Sequence, residues 1–196
     1  MKRLWKPLIL VLVIGLVALD LFFDYRDSMA NGDLVDQPVA SADQRIGIAV
    51  GDLAPDFSGT TLDGETVRLS EFRGQVVLIN DFASWCGPCL AETPHLVDVY
   101  NANADEVVFI GLNLQEAEQA VVTYRDDFAV TYPLVLDPEG RLTEIYKPIG
   151  LPTSWFIDPD GVVRYVHAGP MTADMIQRAL VEVAAGREPD LSTLTG

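Results

Sequence analysis

Two cysteines, the only ones in the chain, lie three positions apart in the stretch NDFASWCGPCLAETPHL, residues 80–96. Cys86 and Cys89 could form a structural disulfide, supply half of a metal site, or act as a reactive thiol pair. A buried strand is predicted to end near Phe82 and a helix to begin a few residues later, which places Cys86 at or before the first helical turn. The free N–H groups and the dipole at that end of a helix favour a thiolate, the nucleophilic form of cysteine.

The structural and metal-binding interpretations fit this pair less well. A disulfide across so short a loop restricts the unfolded chain little, so it stabilises a fold little. A CxxC motif supplies only two metal ligands and the chain has no second one, although His95 and His167 could in principle complete a set. The pattern therefore favours a redox pair, with Trp85 beside it as a flat apolar contact surface, and predicts neither a metal nor another cofactor.

The composition indicates an acidic globular protein. The chain has 196 residues, 49% hydrophobic and 21% charged, and a formal net charge of −16. This length accommodates one domain of about 150 residues and an additional segment. No basic patch of the kind that neutralises phosphates is visible, so nucleic acid is excluded as a partner.

The additional segment is an apolar run from Pro7 to Phe23, which follows three basic residues. At about 1.5 Å per residue it forms a short membrane span, and the positive-inside rule places residues 1–6 in the cytoplasm and the rest of the chain outside. The alternative is a cleaved signal peptide with a cleavage site at Ser28–Ala30, which would release a secreted domain. In both cases the cysteines lie outside the cytoplasm, where thiols tend to become disulfides.

Residues 24–50 are predicted to be a polar linker, and residues 51–190 a single domain. Asp63-Gly64 is a hairpin turn between two short strands, the apolar run at 75–82 is a central strand, and a helix follows to about Tyr100. Further strands are predicted at 107–113, 132–137, 153–158 and 162–168, and further helices at 116–128, 139–146 and from the N-cap Thr172 to Gly186. The order β-β-β-α-β-α-β-α-β-β-α predicts an α/β fold with a mixed central β-sheet flanked by helices.

Several motifs in this region belong together. They are GDLAPDF at 51–57, LSEFRGQVVLIN at 69–80, ASWCGPCLAETP at 83–94, GLPTSWFID at 150–158, and a helix-strand insert at 116–136. Together they resemble the thioredoxin superfamily, and in particular the membrane-tethered thiol-disulfide oxidoreductases of the TlpA/ResA type. The resemblance covers about residues 51–186 and implies a thioredoxin-like fold with an N-terminal β-hairpin and this insert.

The resemblance also implies a role for each residue of the CxxC motif. Cys86 would be the exposed attacking cysteine and Cys89 the buried cysteine that resolves the mixed disulfide. Gly87 and Pro88 between them are similar to the reducing members of the superfamily, and with Trp85 they are expected to lie at the surface that binds clients.

Outside the motif, the resemblance implies that Pro152 is the cis-proline of the family and that Leu151 presents its backbone to an extended substrate segment. Glu92, one helical turn after Cys89, matches an acidic residue of the family that could exchange a proton with that cysteine. Asn80 stands where many thioredoxins have a buried aspartate. Asp81 replaces the usual phenylalanine and should face the opposite side of the sheet, where a carboxylate is costly unless it is paired.

The implied function is the reduction of disulfides in client proteins, with apocytochrome c as a frequent client in the family and a membrane electron donor that restores the thiols. An oxidase or isomerase would use the same residues. A peroxiredoxin-type peroxidase has a P-x-x-x-T-x-x-C pattern, and the four residues before Cys86 include no threonine. A non-enzymatic copper-chaperone module fits poorly, since copper-binding relatives use a CxxxC pair.

Overall fold

Strands and helices follow one another in the predicted order along residues 45–190, the part of the chain that this computed structural model describes. The strands are β1 (Ser58–Thr60), β2 (Thr66–Arg68), β3 (Val76–Phe82), β4 (Val107–Leu114), β5 (Leu134–Asp137), β6 (Thr153–Ile157) and β7 (Val163–Ala168). The helices are α1 (Gly87–Asn103), α2 (Glu118–Phe128), α3 (Arg141–Tyr146) and α4 (Ala173–Ala184), and a 3₁₀ turn spans Leu69–Phe72.

β3 is the middle strand of a five-stranded sheet with the order β5-β4-β3-β6-β7. β3, β4 and β5 run parallel to one another, whereas β6 is antiparallel to both β3 and β7. Every residue of β3 is buried, because the sheet is covered on both faces, as its continuous apolar sequence predicts. The mixed central sheet with flanking helices confirms the predicted α/β fold, and β1 and β2 form the predicted hairpin as a separate antiparallel pair.

The two faces of the sheet carry two different apolar cores. Val76 and Leu78 belong to the core that includes both cysteines and residues of α1, α2 and α4. Val77 and Ile79 belong to the other core, which the hairpin and α3 cover. Because side chains alternate along a strand, Asn80 lies on the face of the cysteines and Asp81 on the opposite face, as predicted.

Several element boundaries differ from the prediction by one to three residues, and two of them concern α1 and α2. α1 continues past Tyr100 to Asn103. The helix predicted from Glu116 begins at Glu118, since Gln115 adopts a left-handed conformation with φ of 50° and Ala117 is extended. The residues between β4 and α2 therefore form a turn and not the first turn of a helix.

The predicted cytoplasmic segment (1–6), the membrane anchor (7–23) and most of the linker lie outside the described residues. Between residues 45 and 190, no helix has both the length and the apolar character needed to cross a membrane. The last six residues of the predicted linker are hydrogen-bonded to the domain: Arg45 donates to the Asp52 carboxylate at 2.8 and 3.0 Å, and the Leu53 N–H donates to the Arg45 carbonyl at 2.9 Å. Residues 45–50 thus pack as part of the domain, ahead of its predicted start at Gly51.

Asp81 is a buried carboxyl group on the face opposite the cysteines. Only 3% of the residue is exposed, and its Oδ2 has no hydrogen-bond partner among residues 45–190. Burial, and then the nearby charge of Asp137, raise the pKa of Asp81 to about 8. At neutral pH the side chain is therefore largely uncharged, which makes its place in β3 tolerable without an ion pair.

We expect Asp81 to make the protein less stable as the pH rises from about 4 to about 8. In this window the unfolded chain has released the Asp81 proton and the native state still holds it, so the slope reaches about 1.4 kcal/mol per pH unit. Asp81→Asn removes this contribution, and its stability relative to the wild type should increase steadily up to about pH 8. Denaturant unfolding at several pH values measures the difference, with the exposed Asp98→Asn as the matched control. Parallel curves for the wild type and Asp81→Asn would contradict the buried neutral carboxyl.

Candidate active site

The CxxC motif begins where β3 ends. Residues 83–86 connect Phe82 to α1, and the Cys86 N–H donates to the Ala83 carbonyl at 3.1 Å, which closes a turn. Cys86 is the N-cap residue of α1, with extended backbone angles, and its Sγ accepts the N–H of Cys89 at 3.2 Å. Pro88 fits the first helical turn because its missing N–H would have no partner in the helix. The sulfur of Cys86 thus lies at the positive end of the helix dipole, as predicted.

Cys86 and Cys89 are joined in a disulfide, and their Cα atoms lie 5.2 Å apart. The pair is oxidised in this structure, which agrees with the predicted redox pair. The expectation that Cys86 is exposed needs correction: in the disulfide form only 5% of Cys86 and 1% of Cys89 is accessible. Cys86 is therefore the more accessible of the two residues by a small margin only.

The segment with the predicted cis-proline lies at the same end of the sheet. Thr153 pairs with Asp81 in the antiparallel β3-β6 register, so Pro152 comes level with the end of β3, next to the active-site turn. The Leu151-Pro152 peptide bond is cis, as the resemblance implied. Leu151 is half-buried against the core that contains both cysteines, and the Thr153 hydroxyl donates to the Gly150 carbonyl at 2.6 Å.

Apolar surface surrounds the buried disulfide. Trp85 is 68% exposed. A groove of about 440 Å³ runs beside the motif between α1 and α2, and Leu90 and Phe128 supply apolar parts of its walls. Gly87 and Pro88 are exposed as well. This arrangement offers an apolar polypeptide segment a contact surface beside the motif.

Glu92 lies on α1 one helical turn after Cys89 and is only 1% exposed. Its Oε1 accepts the Met171 N–H at 3.0 Å, and its Oε2 accepts the Asn80 side-chain amide at 3.1 Å. Burial raises the pKa of Glu92 to about 7, although both hydrogen bonds favour the charged form. A carboxyl group with this pKa can both take up and release a proton near neutral pH.

Asn80, in place of the aspartate of many thioredoxins, orients Glu92. Its Nδ2 donates to Glu92 and also, at 2.9 Å, to the hydroxyl of Ser154 on β6. Since an asparagine side chain does not titrate, Glu92 is the only carboxyl in this buried network. Of the members of this network, the sequence pattern identified Asn80 and Glu92. Ser154 joins it through the pairing of β3 with β6, and the Met171 N–H through the position of the turn before α4. The sequence analysis predicted neither of these two contacts.

A second polar cluster at the motif was not predicted. Glu116, from the β4-α2 turn, accepts hydrogen bonds from Ser84 and Asn113. The order of the elements does contain a signal for it, since Ser84 and Glu116 follow two adjacent parallel strands whose carboxyl ends meet at one edge of the sheet.

The two histidines do not join the cysteines in a ligand set. His167 lies on β7 and its Nδ1 is 3.0 Å from the Tyr165 hydroxyl, while His95 lies on α1. Across residues 45–190, no group of three or more histidine, cysteine, aspartate or glutamate side chains is placed to hold a metal ion.

Comparison with known proteins gives consistent results. The family model "Redoxin" matches residues 49–182. The chain is 33% identical over 141 residues to the thiol-disulfide oxidoreductase ResA of Geobacillus kaustophilus, which covers 71% of this chain and 81% of the relative. It is 33% identical over 140 residues to the thioredoxin-like protein YneN of Bacillus subtilis, with 70% of this chain and 82% of the relative covered.

Solved structures show the same fold. StoA of Bacillus subtilis superposes with a TM-score of 0.57 at 31% identity and covers 63% of this chain and 94% of its own. A thiol:disulfide interchange protein of the thioredoxin family from Chlorobium tepidum gives a TM-score of 0.64 at 28% identity and covers 74% of this chain and 99% of its own. These matches agree with the central mixed sheet and its flanking helices.

We expect Glu92→Gln to slow the attack of Cys89 on a disulfide formed at Cys86, because an amide cannot accept the thiol proton. The slowing should be roughly a hundredfold at neutral pH, the lower end of what a general base contributes. In the wild type the rate should rise as the pH passes through about 7, where Glu92 ionises, and in the variant this step should be absent.

Stopped-flow mixing of the reduced protein with one equivalent of an aromatic disulfide reagent measures both steps, because the second thiol is released only when Cys89 attacks. Glu106→Gln, at an exposed position, is the matched control. An unchanged second phase across the pH range in Glu92→Gln would assign the carboxyl a purely structural role.

Proposed function

Since the chain belongs to the redoxin family and is a TlpA/ResA-type thiol-disulfide oxidoreductase, we propose that it reduces disulfides of client proteins outside the cytoplasm. The observation that carries this proposal is the disulfide between Cys86 and Cys89 at the first turn of α1. A bond in this position can open without unfolding the sheet, and the helix end stabilises the thiolate that forms.

In the first step, the thiolate of reduced Cys86 attacks one sulfur of a client disulfide. The bond between the two client sulfurs breaks, a bond between Cys86 and the client forms, and the second client sulfur leaves as a thiolate that takes up a proton. The Cys86 sulfur already accepts the N–H of Cys89 in the oxidised form, so the same N–H can stabilise the attacking thiolate.

In the second step, Cys89 attacks the mixed disulfide. Glu92, ionised above about pH 7, accepts the proton of the Cys89 thiol, and the thiolate displaces the client from Cys86. The client leaves with both sulfurs reduced, and the enzyme keeps the Cys86–Cys89 disulfide. Two electrons have then passed from the cysteine pair to the client.

The client binds as an extended segment in this proposal. The backbone of Leu151, before the cis peptide bond, lies next to the active-site turn, and the exposed ring of Trp85 provides an apolar contact. Apocytochrome c is the client we favour, in line with the resemblance to the ResA type, because its two haem-binding cysteines must be thiols before haem attaches.

We further propose that the Pro7–Phe23 segment anchors the protein in the cell membrane with residues 1–6 in the cytoplasm. The basic flank and the apolar run support this topology. A membrane protein that relays electrons from the cytoplasm would then reduce the Cys86–Cys89 disulfide after each turnover. Cleavage after the apolar run would instead give a secreted domain with the same chemistry.

Cys86→Ser should abolish the reduction of insulin disulfides, since it removes the attacking sulfur. Cys89→Ser should accumulate mixed disulfides with clients, because the attacking sulfur is present and the resolving one is missing. Non-reducing electrophoresis and mass spectrometry identify the trapped proteins, and the double variant is the control for adducts that do not involve the pair.

Full insulin reduction by Cys86→Ser would refute the assignment of the attacking sulfur. Loss of activity in both variants, combined with faster disulfide formation in a reduced client by the oxidised wild type, would point to the oxidase direction.

A further inference from the structure

One carboxylate ties the active-site turn to the neighbouring turn of the sheet. Glu116 Oε2 accepts the Ser84 N–H at 2.8 Å, and its Oε1 accepts the Ser84 hydroxyl at 2.5 Å. Oε2 also accepts the side-chain amide of Asn113 at 2.6 Å. Hydrogen bonds to a carboxylate are stronger than those between neutral groups. We call these three hydrogen bonds of Glu116 the clamp. It holds Ser84 by both its backbone and its side chain.

The sheet brings the two turns together. Phe82 and Asn113 are partners in the parallel β3-β4 register, so the chain leaves both strands at the same edge. Gln115 then adopts a left-handed backbone conformation, which is uncommon for residues other than glycine, and redirects the chain so that Glu116 reaches Ser84. Asn113 is 1% exposed, and its buried side-chain amide holds the Glu116 carboxylate by the hydrogen bond to Oε2.

The clamp acts two residues before the attacking sulfur. Ser84 lies inside the turn that the bond from the Cys86 N–H to the Ala83 carbonyl closes. Fixing Ser84 therefore fixes both the direction in which Trp85 projects and the place where Cys86 caps α1. No lysine or arginine of residues 45–190 forms an ion pair with Glu116, so the three hydrogen bonds are the contacts that hold it.

We propose that Glu116 is a positioning residue for disulfide exchange: through Ser84 it holds Cys86 and Trp85 in the orientation that a protein disulfide requires. This inference rests on the proposed function and adds a residue to it. A small alkylating reagent can approach the sulfur from many directions, whereas a client segment must fit between Trp85 and the Leu151-Pro152 turn. Loss of the clamp should therefore slow attack on a protein disulfide more than alkylation.

The test uses proteins that carry Cys89→Ser, so that Cys86 is the only thiol. For each protein, the rate of mixed-disulfide formation with insulin is divided by the rate of alkylation with iodoacetamide at the same pH. Adding Glu116→Ala should lower this ratio roughly tenfold, since small displacements of a reacting group cost rate steeply. Glu116→Gln retains a side chain of the same shape that can bond Ser84, and should restore most of the ratio. Glu118→Ala, at an exposed position on α2, is the control.

A ratio that Glu116→Ala leaves unchanged would overturn the inference, and so would a Glu116→Gln protein as impaired as Glu116→Ala. If Glu116→Ala does not fold, Ser84→Ala removes only the hydroxyl bond and should lower the ratio in the same direction by a smaller factor. Failure of the Cys89→Ser parent to form any adduct with insulin would refute the proposed function itself, and the inference with it. An active parent with an unaltered Glu116→Ala ratio refutes the inference alone.

Discussion

The contact between the Cys86 sulfur and the Cys89 N–H, 3.2 Å long, is the interaction on which the rest of the site depends. It places a sulfur where a helix normally has a capping oxygen, so the first free donors of α1 point at the atom that would carry the negative charge. The contact exists because only four residues separate the end of β3, a strand buried along its whole length, from the start of α1. The five-stranded sheet is thus the rigid frame that decides where this sulfur lies, and the turns at its edge decide how a client reaches it.

β3 contributes to two buried polar sites, one on each face of the sheet, and each site contains a carboxyl group. Asn80 faces the cysteines and helps to hold Glu92, whose two hydrogen bonds keep its pKa near the physiological range. Asp81 faces the other core, where Oδ2 has no partner among residues 45–190 and burial raises the pKa further. The difference between the two carboxyls is a difference in hydrogen bonding and in neighbouring charge, since both are almost fully buried.

Much of this arrangement could be predicted from the sequence. The continuous apolar run of β3, the N-cap Thr172 and the proline-containing first turn of α1 each indicate local structure through a short-range physical rule, and the structure agrees. Ser84 and Glu116 could not be paired in this way, because they are 32 residues apart and meet only through the register of two parallel strands. The low accessibility of Cys86 likewise depends on how the turn packs, which residue types alone do not determine.

The most direct test of the central claim is a redox titration of the protein against a thiol buffer, with the cysteine state and the far-ultraviolet circular dichroism recorded at each point. The account predicts that the Cys86–Cys89 bond opens and closes reversibly while the spectrum stays constant, because the bond spans one helical turn and does not hold the sheet together. Loss of secondary structure as the bond opens would instead identify the disulfide as a structural link, and would contradict a function in disulfide exchange.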